Sequence, residues 1–239
     1  MNKHNFTSFL TKINLNGTVE FSRFESASKS LKSSFRTTDK SLIGFADMEC
    51  DAFGDGEYGI YNISLLKKLC QILDDQIDVS IVQEQNRPVS IELYDAKRRI
   101  NYALADLAII PSTPRLKNEP TMDVKVPLTR GLVVDITKAI AALPDVKNFA
   151  ISFDALLGSV ACISIGDETI NVNRITMQTP AIGKSDLPVT YYVAEYLKDI
   201  LSANVAFEQG TIEVSEKGMM KITFNHKNNI NVTYYLIKV

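Results

Sequence analysis

Histidine is nearly missing from this sequence and cysteine is scarce. Two histidines, His4 and His226, and three cysteines, Cys50, Cys70 and Cys162, stand among 239 residues. The cysteines lie far apart inside apolar runs, with no Cys-x-x-Cys pair and no histidine beside them, so no zinc site is expected. They read as buried thiols of a reducing cytoplasm. Neither histidine stands near a Ser or Cys motif. His4 reads as surface near the chain start, and His226 as part of a turn in "NHKNN". Gly-x-Ser-x-Gly, the phosphate-cradling Walker A loop and Gly-x-Gly-x-x-Gly are all missing. No apolar run reaches the roughly 18 residues that span a bilayer, and "MNKHNFTSFLTKIN" lacks the apolar core of a signal peptide. The expectation is a soluble, cytoplasmic protein without a cofactor or metal.

An excess of positive charge is missing too. Lys and Arg number 26 against 28 Asp and Glu, a formal net charge of −2. Any contact with nucleic acid would need a locally basic face on an otherwise acidic body. The apolar fraction of 45% is enough for a sizeable core and argues against disorder. The length permits one large domain or two of about 120 residues.

Four segments carry helical periodicity. Phe6, Phe9, Leu10 and Ile13 mark the first. Ile63, Leu66, Leu69, Cys70 and Leu73 mark the second. Leu132, Val133, Ile136, Ile140 and Leu143 mark the third, which Pro144 stops. Val193, Tyr196, Leu197, Ile200 and Leu201 mark the fourth. Three strand-like segments follow each helix, joined by short turns such as Glu-Gln-Asn and Glu-Lys-Gly, which predicts antiparallel meanders. They are "TVEFSRFES", "KSLKSSFRT" and "SLIGFADMEC"; "IDVSIVQE", "RPVSIELYD" and "RRINYALAD"; "NFAISFDAL", "GSVACISIG" and "ETINVNRITM"; "GTIEVSE", "GMMKITFN" and "INVTYYLIKV". "YGIY", "DVKVP" and "VTYYV" stand as strand stubs ahead of the last three helices. The expected class is α+β, one helix-plus-three-strands unit repeated four times, two units to a domain, with the helices on one face of the sheets. The predicted domains are 1–106 and 123–239. Between them, residues 107–122 hold Pro111, Pro114 and Pro120 without periodicity and read as an extended connector.

The acids of "FADMECDAFGDGE" invite a metal reading. An EF-hand frame from Asp47 needs glycine at 52 and an acid at 58, and Ala52 and Tyr58 stand there. Alternation accounts for them instead: Asp47, Glu49 and Asp51 share one strand face, Ala46, Met48 and Cys50 the other. The outer faces of the helices hold small polar and basic residues. These are Ser64, Lys67, Lys68 and Gln71 in the second, and Arg130, Val134, Thr137, Lys138 and Ala141 in the third. Glu195, Lys198 and Ser202 stand in the fourth, and Ser8 and Lys12, with Lys3 just upstream, in the first. Singly each reads as solvated surface. Pooled on one side of a sheet they give phosphate attraction without base readout.

In "GEYGIYNISLLKKLCQILDDQIDVSI", "INYALADLAIIPSTPRLKNEP" and "YLKDILSANVAFEQGTIEVSEKGMMKITF" with the closing "VTYYLIKV", the chain resembles the PCNA-like sliding DNA clamps, most closely the two-domain clamps of tailed phages. The resemblance is spread over nearly the whole chain and weakest in the first forty residues. It implies a non-enzymatic homotrimer closed head to tail, twelve helices lining the hole, encircling duplex DNA and tethering the replicative DNA polymerase for processivity. An ATP-driven clamp loader would open the ring. The DNA-facing residues would be Lys3, Lys12, Lys67, Lys68, Arg130, Lys138 and Lys198. Clients would dock a short apolar peptide near Ile109, Ile110, Leu116, Tyr235 and Ile237, which read by themselves as ordinary core. The joining edges would be "RRINYALAD" of one subunit and "ETINVNRITM" of the next. The rival readings are a β-rich phage assembly protein and an enzyme using the acids from Asp47 to Glu57.

Overall fold

The structure, a computed structural model, describes residues 1–114, 116, 118–154, 159–166, 173–183 and 187–239. The chain divides into two compact units. Unit 1 is Met1–Pro114 with His226–Val232, and unit 2 is Arg115–Asn225 with Thr233–Val239.

Unit 1 runs α1 (Lys3–Asn14), β1 (Ser22–Ala27), β2 (Ser30–Arg36), β3 (Leu42–Glu49), β4 (Gly56–Ile60), α2 (Ile63–Ile72), β5 (Asp78–Glu84), β6 (Arg87–Tyr94) and β7 (Arg99–Ala103). Strands β4, β1, β2 and β3 are neighbours in that order, and β5, β6 and β7 form a three-stranded sheet. All these pairings are antiparallel. Two-residue hairpins set the register at Ser28-Lys29 and Gln85-Asn86, where both residues take the left-handed conformation that matches strand twist. Strand alternation buries Phe24, Leu31 and Phe35. It buries Ser22 and Ser33 as well, whose hydroxyls satisfy each other at 2.6 Å.

Helix α1 starts on an Asn2 cap, whose side chain accepts from the Asn5 amide, and buries Phe6, Phe9, Leu10 and Ile13 completely. It packs on both α2 and β3. The strand expected from Thr18 begins only at Ser22. A short 3-10 turn, Leu15–Gly17, follows α1, and the Asn14 side chain and carbonyl both bond to Val19. Asn62 caps α2 through the Leu65 amide.

Unit 2 runs β8 (Val124–Pro127), α3 (Arg130–Ala142), β9 (Asn148–Asp154), β10 (Val160–Ile165), β11 (Ile175–Pro180), β12 (Ile182–Gly183), β13 (Leu187–Val193), α4 (Ala194–Ala203), β14 (Gln209–Val214), β15 (Met219–His226) and β16 (Ile230–Ile237), the last two turning through residues of unit 1. A four-stranded sheet has the order β11-β10-β9-β13, and β12, β8, β14 and β15 are neighbours in another. Thr129 caps α3 through the Leu132 amide. α3 and α4 pack together and bury Ile136, Ile140, Leu197 and Ile200. The two-residue strand β12 has no counterpart in the sequence reading. Residues 168–172 of the expected strand "ETINVNRITM" lie outside the described residues, as do 115 and 117 of the connector.

The acids from Asp47 to Asp51 occupy the face that alternation assigns them. Ala46, Met48 and Cys50 are buried, and Glu49 and Asp51 exposed. Asn231 donates to Asp47 and Asn229 to Glu49. Among the described residues no group of His, Cys, Asp or Glu is arranged to hold a metal ion, and no helix is long and apolar enough to cross a membrane. His226 is not a surface turn residue: it ends β15 and is buried.

Candidate functional site

Amphipathic helices leave their polar side free once the apolar stripe is covered. On α2, Lys68 and Gln71 are exposed and Lys67 is half-buried. On α3, Arg130, Val134, Lys138 and Ala141 are exposed. On α4, Glu195, Lys198 and Ser202 are exposed. Among the described residues, Lys67, Lys68, Arg130, Lys138 and Lys198 make no direct ion pair. Such cations attract phosphate without reading a base.

Helix α1 departs from the sequence reading. Lys12 is buried, at 4% exposure. Its Nζ donates to Ser8 Oγ at 2.8 Å. Burial pulls its pKa from 10.5 down to about 8. The physical reason is that α1 is covered by two neighbours, α2 and β3, so its open arc is narrower than periodicity alone assigns. Lys3 is not upstream of the helix but its first residue. Its ammonium donates to the Leu73 carbonyl at 2.6 Å and pairs with Asp75 at 3.5 Å, tying α1 to the end of α2. The open charge of unit 1's two helices is therefore on α2.

The connector is tied down within unit 1 by groups the sequence reading did not single out. The Ala105 amide donates to Gly59 O at 2.9 Å. Asp106 forms a turn in which its side chain accepts from the Ala108 amide. Arg23 Nη2 donates to the carbonyls of Leu107 and Ile110, both at 2.6 Å, and Nε donates to Ile110 O at 3.3 Å. Arg36 Nε donates to Ser112 O at 3.2 Å. Arginine's planar fork suits two convergent acceptors. The only hint in the sequence was two arginines on neighbouring strands at partly open positions. The result buries Ile110 and leaves Ile109 71% exposed.

In unit 2, a groove of about 500 Å³ is lined by Asn118, Glu119, Pro120, Thr121, Met219 and Ile237, with Lys217 and Gly218 completing it. Of the residues proposed from sequence as a peptide pocket, Ile237 lines this groove and is exposed. Leu116 is half-buried. Tyr235 is buried, and its hydroxyl donates to Glu119 Oε1 at 3.4 Å. Burial raises the Tyr235 pKa.

Strand β7 is an edge of its sheet, and β11 is an edge of another. Beside β7, Tyr61 stacks on the buried Tyr102 with ring centroids 5.5 Å apart and is itself 46% exposed. An open edge with an apolar flank is a template for pairing with a further chain.

No protein-family model and no curated protein matches the chain in sequence. Solved structures do match it in fold. The proliferating cellular nuclear antigen of Entamoeba histolytica superposes with a TM-score of 0.77 at 14% identity, over 100% of this chain and 96% of that one. The PCNA of A. fulgidus, solved with the C-terminal region of FEN-1 bound, gives 0.78 at 16% identity, over 100% and 96%. A PCNA2–PCNA3 complex from Sulfolobus tokodaii gives 0.72 at 12%, over 100% and 97%. With four α-helices and many antiparallel strands among its described residues, the chain has the fold of the PCNA-type sliding clamps.

Proposed function

We propose that this chain is a sliding clamp, a ring that encircles duplex DNA and tethers a DNA polymerase during replication, acting as a scaffold without catalytic chemistry of its own. The observation that carries the reading is the likeness in fold to PCNA chains, which spans 100% of this chain and 96–97% of those. The cations on α2, α3 and α4 that make no direct ion pair support it. They suit a protein that holds the phosphate backbone loosely enough to slide.

The ring would be a homotrimer closed head to tail, each chain supplying two pseudo-repeated domains, 1–106 and 123–239, joined by the connector. Edge strands β7 and β11 are the pair that would join neighbouring subunits, and closure would leave neither edge open. Lys67, Lys68, Arg130, Lys138 and Lys198 would face DNA. Clients would lay a short apolar segment in the unit 2 groove at Ile237; the bound FEN-1 region of the A. fulgidus protein is the analogy. An ATP-dependent loader would open the ring in the cytoplasm of the cell, or of the host if a phage encodes it.

The test is native mass followed by retention on DNA. A mass near three times 26.6 kDa and retention on nicked circular DNA, lost when the circle is cut, is the expected result. A stable monomer at high concentration, or equal retention on open linear DNA, overturns it.

A further inference from the structure

The connector segment Asn118–Thr121 forms one wall of the unit 2 groove. Glu119 in that wall is held at a single oxygen by two side chains from the adjoining strands. Lys221 Nζ, on β15, lies 2.8 Å from Glu119 Oε1, and the Tyr235 hydroxyl, on β16, donates to the same oxygen. The Lys221 ammonium also sits 5.9 Å from the centre of the Tyr235 ring, within reach of a cation–π attraction. Burial pulls the Lys221 pKa down, but the hydrogen bond to Glu119 and the nearby Tyr235, Glu119 and Glu213 outweigh it and raise the pKa. Nothing else described holds the Glu119 side chain. Lys221 does not itself line the groove and meets its wall at Glu119.

We propose that Lys221 is a positioning residue of the groove: by holding Glu119 it fixes the connector wall in the shape that receives an extended client segment. This rests on the reading of the groove as a client site. A wall fixed before binding spares the occupant the cost of ordering it. Lys221 therefore raises affinity without touching the ligand.

The test is a reciprocal charge swap. A peptide is selected from a random-sequence library on the full chain, and its place is checked by loss of binding in Ile237→Asp. Lys221→Glu and Glu119→Lys are expected each to weaken that peptide roughly three- to tenfold, the scale of a partly exposed pair. Each is expected to speed amide exchange at Asn118, Glu119 and Thr121, with native mass unchanged. The double variant restores both to within about twofold of the parent, the signature of a direct pairwise interaction. Single variants that leave affinity and exchange unchanged, or a double variant as weak as the worse single, overturn the proposal. If the parent selects no peptide that Ile237→Asp disrupts, the client reading fails. The exchange data still decide whether Lys221 holds the wall.

Discussion

The ammonium of Lys12 donates to the Ser8 hydroxyl one turn back along α1, at 2.8 Å, inside the packed face of the helix. A charge held there opposes folding. Its pKa is about 8 in the folded chain against 10.5 for an ordinary lysine, so between those values the unfolded chain binds more protons than the folded one. Stability contributed by this group therefore rises with pH through that window and is lowest below about 8. Lys12→Met is expected to stabilise the protein by about 1–3 kcal/mol at pH 7, with the gain shrinking towards pH 10. Urea midpoints of the two proteins across pH measure the difference, and a constant difference sinks the assignment.

The exposed Lys68 and the half-buried Lys67 on α2 form the contrasting case. Replacing both with Glu is expected to leave the native mass unchanged and the thermal midpoint within a few degrees. It is expected to impair retention on circular DNA. For weak binding to linear duplex, neutral substitution of either lysine lowers the salt slope of log K by about 0.9 if that side chain meets a phosphate. The same measurement on Lys12→Met is expected to show no change, because that ammonium is already engaged within α1.

The Arg23 fork makes a prediction confined to unit 1. In Arg23→Gln the amides from Leu107 to Ser112 are expected to exchange at least about tenfold faster, while amides in β1 and β2 keep their protection. Loss of charge-assisted bonds to two carbonyls should cost roughly 1–3 kcal/mol. Hydrogen exchange followed by mass spectrometry resolves the segment, and unchanged rates there rule out Arg23 as its anchor.

Glycine positions separate close approach from open space. A Cβ at Gly59 in β4 would overlap the backbone carbonyl oxygen of Ala105, just ahead of the connector. Gly59→Ala is expected to destabilise by about 1–3 kcal/mol, the scale of overpacking. In α3 a Cβ at Gly131 would meet nothing nearer than Thr129 Oγ1 at 3.8 Å. Gly131→Ala is expected to stabilise by up to about 1 kcal/mol through helix propensity and a less flexible unfolded chain. Thermal midpoints of the two variants moving in the same direction would contradict this account.

The helices and most strands were legible because periodicity of 3.6 or 2 is written in which residues are apolar. Phe6, Phe9, Leu10 and Ile13 can share a side only on a helix. Asp47 and Glu49 can share a side opposite Ala46 and Met48 only on a strand. The outward cations of α2, α3 and α4 followed from the same arithmetic, since each of those helices opposes its apolar stripe with a polar arc. That arithmetic says which way a side chain points relative to its own element. It does not say how many neighbours surround the element.

Lys12 shows the difference. Its position in the α1 sequence is outward, and only the packing of α1 on both α2 and β3 made it inward. Ile109 and Ile110 are adjacent and chemically identical, so nothing local distinguishes them. Arg23, more than eighty residues earlier in the chain, decides that one is exposed and the other buried. Glu119 likewise had no assigned partner in sequence, because Lys221 and Tyr235 reach it only once β15 and β16 are paired. The sequence by itself determined the elements, their apolar faces and the absence of catalytic motifs, all set by local residue spacing. The tertiary structure alone decided which charges stay open to a phosphate and how the connector is held, because those depend on contacts between residues far apart in the chain.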